Sequence, residues 1–110
     1  MAIERKRRPS EPGEILKLLY LKTNNISLTA FAEAVGCTRK HMSNIVNGKA
    51  RIEAELATRI GTVLGTGAKL WLNLQDSVDL WDAKQKLKNW KPARTFPGTP
   101  YQPHRDGDKA

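Results

Sequence analysis

The chain has 110 residues, 39% hydrophobic, 27% charged and 6% aromatic, with a net charge of +8. Such a length predicts one compact domain with room for a tail, and the composition excludes a wholly disordered or fibrous chain. No apolar run approaches the ~20 residues of a membrane span, and the basic N-terminus has no apolar signal-peptide stretch behind it, so a cytoplasmic protein without a membrane partner is expected.

Residues 1–11 read as a flexible basic arm ending in a turn. Pro12 suits the first position of a helix, where its missing N–H costs nothing. Ile15, Leu16, Leu18 and Leu19 follow helical spacing through about Lys22, and Asn24-Asn25 breaks the pattern. Ser27 is a suitable N-cap for a second helix. Its Leu28, Phe31, Ala32 and Val35 recur at i, i+3, i+4 and i+7, and Gly36 ends it as a residue free to adopt φ > 0. After Cys37, Thr38 caps a third helix that runs to about Val46, with Met42, Ile45 and Val46 inward. Asn47-Gly48 closes it. A fourth helix is predicted from about Glu53 to Leu64, with Leu56, Ile60, Val63 and Leu64 on one stripe. Past Gly65-Thr66-Gly67, a fifth and longest helix is predicted from about Ala68 to Leu87.

From Trp90 onward the sequence holds four of the six prolines and no helical period. It reads as an extended or disordered tail. The predicted organisation is an arm over 1–11, a helix-turn-helix DNA-binding and dimerisation domain over 12–89, and a flexible Pro-rich tail over 90–110. The fold class is all-α, a five-helix bundle with no strand pattern.

Charge is unevenly placed. Residues 1–10 and 11–52 each carry an excess of three positive charges, 53–83 an excess of three negative ones, and 84–110 an excess of five positive ones. A chain this basic commonly meets a polyanion, DNA or RNA first, although basic charge also serves solubility. The single cysteine, Cys37, excludes an internal disulfide framework, and the two histidines are too far apart in sequence to pair as metal ligands. No cofactor, metal or catalytic constellation is expected.

Residues 27–48, SLTAFAEAVGCTRKHMSNIVNG, carry the function. Two short amphipathic helices meet at a tight turn containing a glycine, the helix-turn-helix pattern. Ala32 lets the helices approach, Gly36 makes the reversal, and Cys37, Met42 and Ile45 anchor the second helix. That leaves Thr38, Arg39, Lys40, His41, Ser43, Asn44 and Asn47 facing solvent or the major groove. Arg39 and Lys40 suit guanine O6/N7, and Asn44 suits adenine N6/N7. Ser27, Lys49 and Arg51 read as phosphate contacts, with a plain solvated charge as the alternative for the latter two.

This segment resembles the Xre/lambda-repressor-like helix-turn-helix class. Over about residues 12–83 the chain resembles HigA-type antitoxins, most specifically in PGEIL (12–16), IVNGK (45–49) and LWLNLQ (70–75). The resemblance implies a lambda-repressor-like fold and a homodimer that binds double-stranded operator DNA and represses its own operon. It also implies neutralisation of a RelE-like ribonuclease toxin of HigB type. Leu28 stands where the wider class often has a glutamine that supports backbone contacts, and the net positive charge differs from many antitoxins.

On the fifth helix, Trp71, Leu74, Val78 and Trp81 are candidates for a dimer interface, with core packing the alternative, above all for Trp71. Asp76, Asp79 and Asp82 recur at i, i+3 and i+6, either as a solvated face or as a landing strip for a basic protein. The Pro-rich tail is the competing toxin-binding element. The basic arm, Arg5 to Arg8, either tracks phosphates or solubilises.

Overall fold

The computed structural model describes residues 7–98, and every regular element among them is helical. Residues 1–6, with Arg5 and Lys6, and residues 99–110, with His104, lie outside the described residues. Helix α1 spans Pro12–Ile15 with Pro12 at its first position. Gly13 is buried against the helix that carries Ile45, and a Cβ there would collide with the Ile45 backbone carbonyl.

Beyond Ile15 the backbone does not continue as the regular helix that the spacing predicts. Leu16–Leu21 is π-helical, and Lys22 N–H donates to the Lys17 carbonyl at 2.9 Å. In an α-helix residues five apart diverge by about 140°. The wider π turn stacks them, so Leu16 and Leu21 both enter the core. Leu18 and Leu19, expected on the inward stripe, are 44% and 60% exposed for the same reason.

Helix α2, Leu28–Val35, opens where Ser27 Oγ accepts the Ala30 N–H at 3.0 Å and closes at Gly36, whose φ of +87° is left-handed. Helix α3, Arg39–Val46, begins at Thr38, whose hydroxyl accepts the His41 N–H at 3.0 Å. Both caps satisfy orphan donors at the helix starts, as their sequence signals predict. The reversal at Gly36 is bolted from outside by Arg59, whose guanidinium donates to the carbonyls of Val35 and Gly36 at 3.3 and 3.2 Å.

Helix α4, Ala54–Leu64, buries Ala57, Ile60 and Gly61, with Leu56 and Leu64 partly covered. Val63, expected inside, is exposed, because the buried stripe centres on Ala57 and Ile60. Helix α5, Ala68–Lys86, lies along α4 and against α1. Its buried residues are Trp71, Gln75 and Val78, at i, i+4 and i+7.

Trp71 is 0% exposed, stacked edge-on by Tyr20 at 5.4 Å, and its Nε1 donates to Thr66 Oγ1 at 2.8 Å. Trp71 and Val78 therefore have no surface left to share with a second chain, which corrects their candidacy for a dimer interface. Leu74 and Trp81 lie on the neighbouring stripe and are only half-buried. From Trp90 to Gly98 the described part of the tail is exposed and without regular structure, with Arg94 over the Phe96 ring at 4.4 Å.

Candidate nucleic-acid interface

With Met42, Ile45 and Val46 turned into the core, the 3.6-residue period of α3 dictates what faces outward. Lys40, Asn44 and Asn47 fall on the stripe opposite, with Ser43 beside it. Lys40 and Asn47 are exposed, and Ser43 and Asn44 are half-buried. Asn47 Nδ2 donates to Ser43 Oγ at 3.3 Å, which ties two of these polar side chains together. His41 lies at the other edge of α3, lining a shallow groove with Cys37, Glu53, Glu55 and Arg59. Burial pushes the Cys37 thiol above its ordinary value, which fits a half-buried packing residue.

Arg39 starts α3, and its Nε donates to Thr29 Oγ1 of α2 at 3.1 Å. This contact fixes the direction of the guanidinium while leaving its outer N–H groups open. Thr29 was not legible as functional in sequence, since it acts only through a partner ten residues on. Ser27 and Thr38 use their hydroxyl oxygens to cap α2 and α3, which keeps each hydroxyl hydrogen available for a phosphate oxygen. Lys49 follows α3 directly and is exposed.

Arg51 is placed differently from the solvated cation or simple phosphate contact considered from sequence. Its guanidinium forks onto the Asp79 carboxylate at 2.9 and 2.6 Å and its Nε donates to Glu53 at 3.2 Å. Arg8 makes the matching contact one turn along α5, to Asp82 at 2.9 Å through two nitrogens, and also pairs with Glu11. Asp79 and Asp82 are held below the usual carboxylate range, in each case first by the hydrogen bond from its arginine. The acidic row is therefore not the open strip its spacing allows: two of its three carboxylates already hold arginines of this chain.

Among the described residues, Arg39, Lys40 and Lys49 form no ion pair. They are the cations at the helix-turn-helix with no carboxylate of the described residues against them.

The surroundings of this surface match known proteins. The chain is 41% identical over 83 residues to antitoxin HigA-1 of Vibrio cholerae, covering 76% of this chain and 78% of that one. The chain belongs to the HigA family of antitoxins. No family model matches it. Among solved structures, the antitoxin HigA of Pseudomonas aeruginosa with the higBA promoter superposes with a TM-score of 0.71 at 34% identity, covering 74% of this chain and 89% of that one. An addiction module antidote protein of a HigA family from Coxiella burnetii superposes with a TM-score of 0.73 at 30% identity, covering 84% of this chain and 100% of that one. The HigA family consists of helix-turn-helix regulators rather than enzymes, which agrees with the lack of a catalytic constellation in the sequence.

Proposed function

We propose that this HigA-family chain is a sequence-specific, homodimeric DNA-binding antitoxin that represses its own operon and neutralises a RelE-like ribonuclease toxin of HigB type. The observation that carries the reading is the outward face of α3 together with Arg39, Lys40 and Lys49. It stands on a backbone that superposes on a HigA protein bound to promoter DNA. Thr38, Arg39, Lys40, Asn44 and Asn47 read base edges, with Ser43 and His41 at the margins, while Ser27 and Lys49 hold phosphates.

Two observations support a dimer through α5. Its core stripe is spent inside the protomer, yet Leu74 and Trp81 remain half-exposed beside it. A two-fold axis there sets the recognition helices on half-sites about 34–36 Å apart, matching an inverted repeat.

The test is a gel shift on the duplex upstream of the chain's own gene, paired with co-expression against the product of the adjacent reading frame. Binding together with rescue from a ribonuclease is expected. Binding without rescue leaves a repressor with no toxin partner, and rescue without binding leaves an inhibitor module.

Arg39→Ala is expected to cost about 1–3 kcal/mol on the operator and to relax preference at one base pair. An equal loss on operator and random duplex would reassign Arg39 to phosphate. Trp81→Ala is expected to leave a folded protomer, weaken dimerisation by about tenfold or more, and weaken operator binding with it. Analytical ultracentrifugation that finds the variant still fully dimeric would place the interface elsewhere.

A further inference from the structure

The chain leaving the recognition helix is fastened at several points in succession. The Asn44 carbonyl accepts from the N–H groups of Lys49 and Ala50 at 2.8 and 3.2 Å. Ile52 is buried, and its N–H donates to Gln75 Oε1 on α5 at 2.9 Å. Gln75 is 5% exposed, and its Nε2 donates to Asp79 Oδ1 at 3.1 Å. Because a backbone N–H can meet only the amide oxygen, the Ile52 contact fixes which way the Gln75 amide points, and so aims its NH2 at Asp79. Asp79, held in this way, grips the Arg51 guanidinium as a fork.

We propose that Gln75 and Asp79 are positioning residues, which set Arg51 where it meets a DNA phosphate flanking the recognition helix. The proposal rests on the DNA-binding reading above. Of the five N–H donors of Arg51, Asp79 and Glu53 take three, which leaves one N–H on each terminal nitrogen, directed to the two flanks of the guanidinium, for a phosphate oxygen. A free arginine on a loop surrenders its rotamer freedom when it touches DNA, whereas Arg51 is already fixed by a carboxylate that is itself fixed. Glu53 and Asp79 offset the Arg51 charge, so the gain is in direction more than in field strength. Had Asp79 hung free on the surface, it would move with the arginine and fix nothing; the buried Gln75 makes the difference.

The experiment measures binding of the full chain to its upstream duplex and to a random duplex by fluorescence anisotropy, across a series of salt concentrations. Asp79→Asn keeps the side-chain shape and removes the charged fork, and a thermal melt confirms its fold. Affinity is expected to fall roughly three- to tenfold on both duplexes, and the slope of log K against log salt to become shallower by about 0.9, the value of one phosphate contact. Arg51→Ala, at an exposed side chain, is expected to do the same, and the double variant to be no weaker than either single one.

Tighter binding or a steeper slope in Asp79→Asn overturns the proposal, because the carboxylate is then competing with phosphate. An unmoved slope overturns it as well, leaving the pair a purely structural tie. A wild-type chain that binds neither duplex removes the DNA-binding reading and the proposal together, which separates that failure from the other two.

Discussion

Trp71→Ala is expected to destabilise the protein by about 3–5 kcal/mol, a large share of the roughly 5–15 kcal/mol that holds a small domain folded. The indole is wholly buried, stacked by Tyr20 and hydrogen-bonded to Thr66. Its removal leaves a cavity where α5, α4 and the π-helical segment converge, and takes away the hydrogen bond that the Thr66 hydroxyl accepts. Short helices on all sides can close only part of that space. Urea denaturation followed by circular dichroism measures the loss directly. Trp90→Ala is the control, since Trp90 is 62% exposed and its loss is expected to change stability by no more than about 0.5 kcal/mol. If the two variants melt together, Trp71 is not the keystone of the core.

Gly13→Ala sets two effects of opposite sign against each other. Alanine favours helix over glycine by about 1 kcal/mol, so on propensity alone the variant gains. Against this, the new Cβ runs into the Ile45 carbonyl, a backbone atom of α3 that no rotamer change can move aside. Overpacking of this kind typically costs about 1–3 kcal/mol, and rigid backbone on both sides puts Gly13 at the upper end. A net loss of about 2 kcal/mol is expected in denaturant melts, together with weaker operator binding, because the element that yields is the recognition helix or the turn that supports it. A variant as stable as wild type would show that α1 lifts away from α3 at little cost.

Much of the helix-turn-helix was legible in the sequence because its signals are local. Ser27 and Thr38 lie within three residues of the N–H groups they cap, and Gly36 occupies the position between α2 and α3 that needs a left-handed backbone. The π turn was not legible. Ile15 to Leu21 is rich enough in leucine to satisfy an ordinary helical stripe, and the contacts that accompany the π turn are distant in sequence: Tyr20 meets Trp71, fifty-one positions along the chain. On α5 two apolar stripes run side by side, and periodicity cannot say which of them meets α4. By spacing alone Trp71, Leu74, Val78 and Trp81 form one apolar set, and burial separates Trp71 and Val78 from the other two.

The candidate site divides in the same way. The outward row of α3 follows from its inward one. The partners that orient its flanks do not: Arg39 depends on Thr29, and Arg51 on Asp79 and Gln75, across turns that no local pattern encodes. Arg59 is a further case, since a cation on α4 gives no sequence sign that it will close the end of α2.

The chain holds three tryptophans, and they occupy three different environments: Trp71 is sealed inside, Trp81 is half-covered on the face assigned to a partner copy, and Trp90 is open to water. They make a built-in optical ruler. A collisional quencher such as iodide reaches Trp90 at once and Trp71 only on unfolding, so the fluorescence remaining in native protein at saturating quencher reports on Trp81 above a constant background. Dilution or added duplex that changes the association of protomers then becomes visible as a change in quenchable emission, without a dye or a tag.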